Sequence, residues 1–122
     1  MKAKTSIFDD IDENSIEKAA EVLPRLVLPQ PDDQPIDFKL VSEPEVVDVA
    51  SRPGETMTVI EAETNGVKGS LILPKSLRFN MATALKRRNV NLAKFKFGGS
   101  VWRVWSVMDG QNKYYQTELV DQ

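Results

Sequence analysis

Hydrophobic and polar residues along this chain follow two different periods. Between residues 57 and 73, Ile60, Ala62, Val67, Gly69, Leu71 and Leu73 share one face if Asn65-Gly66 is a two-residue hairpin turn. Asn-Gly supplies the positive φ angles that such a turn needs. The turn sets a register with Thr64 opposite Val67, Ile60 opposite Leu71, and Glu63 opposite Lys68 as a cross-strand ion pair. The period then lengthens. Leu77, Met81, Ala84 and Leu85 recur at helical spacing, which predicts a helix. Pro74 precedes it, Ser76 is the expected cap, and Asn89 is an acceptable stop after Arg88.

The flanking pattern is strand-rich. Residues 36–50 hold Phe38, Leu40, Val41, Val46, Val47 and Val49, interrupted at Pro44, and read as one long strand with a bulge or kink there. A turn at Arg52-Pro53-Gly54-Glu55 follows. After the helix come strands at 93–97 and 101–107, joined at Gly98-Gly99, then a turn near Asp109-Gly110 and a last strand at 113–120. A two-residue Gly98-Gly99 turn pairs Phe95 with Trp102 and Lys94 with Arg103. Phe95, Phe97, Trp102 and Val104 then form a core face. Lys94, Lys96, Val101, Arg103 and Trp105 form an outer one. The second hairpin brings Tyr115 opposite Trp105.

Upstream, residues 1–13 are polar and acidic. Asn14 with Glu17 has capping-box spacing, and Ile16, Ala19, Ala20 and Leu23 make a short apolar stripe. Three prolines in residues 28–35 read as a stiff, extended linker. The organisation expected is an acidic arm over residues 1–35, with a short helix and a Pro-rich linker, ahead of a domain over 36–122. The fold class is mainly β: five to six strands in a small barrel, one helix between strands 3 and 4, and a short N-terminal helix.

Charge sharpens this picture. From Val67 to Met108 there is no acidic residue but nine basic ones: Lys68, Lys75, Arg78, Lys86, Arg87, Arg88, Lys94, Lys96 and Arg103. Residues 1–66 carry 6 Lys+Arg against 15 Asp+Glu, and residues 67–122 carry 10 against 3. The net charge of −2 therefore hides halves of −9 and +7. Such asymmetry suggests a polyanion-binding part beside an acidic partner segment. The basic stretch also holds Phe79, Phe95, Phe97, Trp102 and Trp105. Cations along a groove with rings for bases to stack on suit single-stranded nucleic acid.

Other chemistry is narrowed by what the sequence lacks. There is no Cys and no His, which removes thiol chemistry, imidazole catalysis and the usual zinc sites. The acidic cluster Asp9, Asp10, Asp12 and Glu13 lacks calcium-loop spacing, so no metal and no cofactor are expected. The N-terminus has no apolar h-region, and no run approaches about 20 apolar residues. A soluble, cytoplasmic protein is the expectation.

Three strands, a helix and further strands over residues 36–120 resemble the OB-fold single-stranded nucleic-acid-binding domains. The resemblance implies a small barrel and an aromatic platform on the second and third strands. Here the outer face of those strands carries Val59, Ile72, Glu61 and Glu63 and no ring, so stacking groups have to come from later strands.

The reading that results is a non-enzymatic single-stranded DNA-binding protein, with a role of the kind DNA replication requires. Phosphates meet Lys94, Lys96 and Arg103 and some of Arg78, Lys86, Arg87 and Arg88. Bases stack on Trp105 and Tyr115, with little sequence readout. DNA is expected ahead of RNA, and the acidic arm offers a site for a protein partner. The alternatives are a protein–protein interaction module or an RNA-binding accessory subunit.

Overall fold

Six strands and one helix are found in residues 23–122, the part of the chain that the computed structural model describes. In chain order they are β1 (Ile36–Leu40), β2 (Glu45–Asp48), β3 (Thr56–Thr64), β4 (Val67–Ile72), the helix α1 (Lys75–Arg87), β5 (Val101–Asp109) and β6 (Asn112–Asp121). The short helix and acidic cluster expected upstream lie outside the described residues.

The hairpin β3–β4 forms as its turn chemistry dictates. Asn65 and Gly66 both have positive φ, 51° and 77°. Thr64 pairs with Val67, Ile60 with Leu71 and Glu63 with Lys68. The opposite edge of β3 is shared. β1 pairs with it through Leu40 and Ala62, and β2 through Glu45 and Val59. Between these pairings the register slips by two residues, which residues 41–44 take up. The break expected at Pro44 therefore divides one long strand into two. β1 also pairs with β5, Phe38 opposite Trp102, and β5 pairs with β6. All these pairings are antiparallel.

The expected barrel does not close, because β4 and β6 do not pair. Other groups occupy the outer edges of these two strands. On β4, the Ser70 N–H donates to the Pro24 carbonyl and the Leu26 N–H to the Ser70 carbonyl, each at 2.8 Å. This strap approaches so closely that a Cβ on Gly69 would lie 2.5 Å from the Pro24 oxygen and 2.7 Å from Leu26 Cγ. Leu26 and Leu28 pack on the core, Pro29 is fully buried, and Lys113 Nζ donates to Gln30 Oε1 at 3.3 Å. The Pro-rich segment thus lies on the sheet instead of extending away from it.

On β6, helix α1 occupies the edge. Asn80 Nδ2 donates to the Tyr115 carbonyl, the Tyr115 N–H donates to Ser76 Oγ at 3.2 Å, and Arg88 donates to the Leu119 carbonyl at 2.7 Å. Residues 76, 80, 84 and 88 fall on one helical face, so this stripe satisfies backbone groups of an outer strand. Ser76 therefore does not cap the helix as expected. Pro74 holds the N-cap position without a side-chain bond, its fixed φ suiting a chain about to turn helical. Asn89, at φ 58°, ends the helix region.

Between helix and sheet lies the core: Phe38, Leu40, Ile60, Ala62, Leu71, Leu73, Leu77, Met81, Leu85, Trp102, Val104 and Leu119. Trp102 is only 1% exposed, and its indole N–H donates to Ser100 Oγ at 2.9 Å.

The strand expected at 93–97 is absent, and with it the Gly98-Gly99 hairpin. After α1 the chain turns: the Asn91 carbonyl accepts from the Lys94 and Phe95 N–H groups. Glu43, in the connection between β1 and β2, then captures the loop. Its carboxylate accepts the Phe97 N–H at 3.0 Å and the Gly98 N–H at 2.8 Å. Gly98 also sits tightly, since a Cβ there would be 3.2 Å from the Val41 oxygen. Phe95 and Phe97 still reach the core, packing on Trp102 at centroid distances of 6.3 and 6.4 Å. The core face was correctly expected, but a loop supplies it and not a strand.

Candidate nucleic-acid interface

The alternation of β5 decides which of its side chains can meet a ligand. Trp102, Val104 and Ser106 point into the core. Val101, Arg103, Trp105 and Val107 line the outer face, each half-buried. Trp105 is thus on the surface, as expected. Its partner across the ladder is Gln116, however, and Tyr115 lies opposite Ser106. The turn that closes this hairpin is Gly110-Gln111, between the paired residues Asp109 and Asn112, which moves the register by one from the expectation. A one-residue slip sends a side chain to the other face. Tyr115 therefore packs against the core, with Lys113 Nζ 5.4 Å from its ring centroid. The tyrosine on the face of Trp105 is Tyr114, opposite Val107.

Arg103 is on the outer face but already engaged. Its guanidinium donates to Asp37 at 2.8 and 3.2 Å and approaches Glu118 at 3.6 Å. The Asp37 hydrogen bond holds its pKa above the ordinary arginine value. Register explains the trio, since Arg103 pairs with Asp37 on one side and Glu118 on the other. The same outer face carries Glu61 and Glu63 on β3. Glu63 and Lys68 are register partners, yet no salt bridge closes between them.

The remaining expected cations are on α1 and the loop behind it. Arg78 Nε donates to the Leu73 carbonyl at 3.0 Å, and Arg88 is used on β6. Lys86 and Arg87 stand exposed in the last turn of α1. Lys94 and Lys96 are exposed in the loop, beside a shallow hollow of about 420 Å³ that Phe95, Gly98 and Gln122 also line. They do not join Arg103 and Trp105 on one strand face, because the hairpin that would place them there does not form. Among the described residues, none of Lys75, Lys86, Arg87, Lys94 and Lys96 makes a salt bridge. The carboxylate set closest to this loop is that of Glu43. The Gly98 N–H above all, then the Phe97 N–H and the charge of Lys96, hold its pKa below the usual value, against the opposing effect of burial.

Phe79 and Lys75 belong to the basic, aromatic stretch of the sequence, but the sequence alone assigns neither a binding role. Both lie on the helical face 75, 79, 83, 87, next to the stripe that seals β6. Phe79 is 69% exposed. The signal was present in the helical period: residue 79 falls outside the stripe of Leu77, Met81 and Leu85, so a large apolar ring there has to face outward.

An apolar cavity of about 260 Å³ lies elsewhere, between α1, Pro44, Leu92 and Phe97. Among the described residues no group of His, Cys, Asp and Glu is placed to hold a metal, and no helix there is long and apolar enough to cross a membrane. Comparison with protein-family models, curated proteins and solved structures finds no match to this chain.

Proposed function

We propose that this protein binds single-stranded nucleic acid without catalysing a reaction, DNA ahead of RNA, through an OB-like domain whose sheet remains open. The observation that carries the reading is the segregation of charge in three dimensions. Lys75, Lys86, Arg87, Lys94 and Lys96 are exposed along α1 and its following loop, with no carboxylate bridged to them among the described residues. The outer face of the sheet instead mixes both signs, Asp37, Glu61, Glu63 and Glu118 standing beside Lys39, Lys68 and Arg103. An ordinary soluble surface intersperses both signs. A single-sign run over a helix and loop is what phosphate neutralisation calls for. Half-buried Trp105 on the outer face adds a ring of the kind that bases stack on. OB domains are themselves only partly closed, so the open sheet is compatible with that kinship.

Arg103 drops out of this mechanism because Asp37 and Glu118 already hold it, and Tyr115 drops out because it faces the core. The test is binding of a fluorescent oligo(dT), against a duplex of equal length, across a salt series. Neutralising about four phosphates gives a slope of log K against log salt near −3 for a single strand. A flat response, or no binding at low salt, defeats the reading.

A further inference from the structure

Phe79 is a surface feature that neither the core nor the charge pattern explains. Its helix buries Leu77, Met81 and Leu85 while presenting this phenyl ring to water. The ring's place is fixed by its neighbours. Asn80 donates to the Tyr115 carbonyl, and Ser76 accepts the Tyr115 N–H. These bonds pin the first turns of α1 to the start of β6 and leave a hollow of about 540 Å³ between them. Phe79 and Tyr114 are on its walls, with Lys75 and Gln116 beside them. Gln116 is also the ladder partner of Trp105. The hollow therefore opens onto the outer face of β5 and β6, and the three rings flank one continuous track around the edge of the sheet.

Charge along the track has a direction. At one end Glu118 and Asp37 are occupied by Arg103. At the other, Lys75 lines the hollow, and Arg87 follows on the helical face of Phe79.

The geometry points to the hollow between Phe79 and Tyr114 as a stacking subsite for an unpaired nucleobase, with Lys75 on the adjoining phosphate and the strand continuing toward Trp105. This rests on the nucleic-acid reading above and gives it a location. Bases inside a duplex have both faces covered, whereas those of a single strand leave a π-face free for an aromatic ring, whichever base it is. The subsite therefore selects single strands and is indifferent to sequence.

The decisive variants are Phe79→Ala and Tyr114→Ala, assayed in the full chain with labelled oligo(dT) over several salt concentrations. Phe79 is exposed, so its removal leaves melting unchanged. Each variant is expected to bind roughly 5- to 150-fold more weakly, the range for one lost stack, with the salt slope unaltered because no charge is removed. Lys75→Ala is expected to make the slope shallower by about 0.7. Phe79→Trp keeps a ring in place and is expected to retain affinity. If the unaltered protein binds oligo(dT) but Phe79→Ala binds equally well, the subsite is overturned and the nucleic-acid reading survives. If the unaltered protein does not bind, both fail together.

Discussion

Substituting alanine for Gly69 tests the strap directly. The backbone at Gly69 is not in the left-handed region, so alanine is acceptable in conformation and even favoured by about 0.4–1 kcal/mol through the unfolded chain. The added methyl is the difficulty. It would stand 2.5 Å from the Pro24 oxygen and 2.7 and 2.8 Å from two carbons of Leu26. One of those atoms is backbone, so relief requires the strap to move by roughly an ångström, the gap to ordinary carbon contact distances of about 3.5–4 Å. That movement breaks the two 2.8 Å hydrogen bonds between the strap and Ser70, each worth about 1 kcal/mol net. It also uncovers part of Leu26, a side chain whose full burial contributes about 1.5–3 kcal/mol. Less the alanine gain, Gly69→Ala should destabilise by about 2–3 kcal/mol. Urea unfolding measures this, and hydrogen exchange locates it: the Leu26 and Ser70 amides should lose protection ahead of the β5–β6 ladder. Gly66→Ala is the control. Gly66 has a positive φ of 77° and open space around its Cβ position, so it should cost about 1–2 kcal/mol by conformation alone with strap protection intact. A Gly69→Ala protein within about 0.5 kcal/mol of the parent, its Leu26 and Ser70 amides still protected, would mean that the strap accommodates a methyl group there without moving.

Trp102→Ala should cost about 3–5 kcal/mol in urea unfolding, since it empties the centre of the Phe95–Phe97–Trp102 cluster. Glu43→Gln should weaken the loop at 97–98 by about 1 kcal/mol, a charge-assisted bond discounted for exposure. Because the Glu43 pKa is lowered in the folded protein, its contribution is complete above the ordinary carboxylate range and fades as pH falls through the lowered value. The parent and Glu43→Gln should therefore converge in stability under acid, and a constant gap down to acid pH would contradict this. Arg103→Gln should leave the salt slope of oligonucleotide binding unchanged, since Asp37 and Glu118 already occupy that guanidinium; a slope shallower by about 0.7 would mean that it reaches phosphate.

What the sequence disclosed depended on how local the cause was. The β3–β4 register was readable because Asn65-Gly66 specifies its own turn. The helix was readable from Leu77, Met81 and Leu85, and its end from Asn89. Trp102 was correctly read as core. Residues 94–97 alternate Lys-Phe-Lys-Phe, a pattern identical to a strand's, yet Glu43 organises them from more than 50 residues upstream, a contact no local pattern announces. Tyr115 was misplaced by a single residue of turn position, enough to put it on the wrong face. Prolines near residue 30 suggest a linker because the groups that hold the segment down, Ser70 and Lys113, are far away in sequence. Arg103 resembled a free cation because its two carboxylates come from β1 and β6, separated from it in sequence and adjacent only in the sheet.

The strap that covers β4 is held by two backbone hydrogen bonds, the Lys113–Gln30 bond and a few apolar side chains, far less than the continuous ladder that joins β5 to β6. Of the sheet's two covered edges, it is therefore the one that local opening should release first. Once it lifts, Val67–Ile72 presents unpaired amides beside apolar residues, and the segment best shaped to re-cover it is the Pro24–Leu26 strap of a second molecule. Exchange of straps between copies would rebuild every native contact with no new interface required. Concentrating or gently warming the protein should thus favour strap-swapped dimers, which size-exclusion chromatography would detect. Strap-weakening substitutions such as Leu26→Ala should turn that exchange into open-ended strand pairing and aggregation.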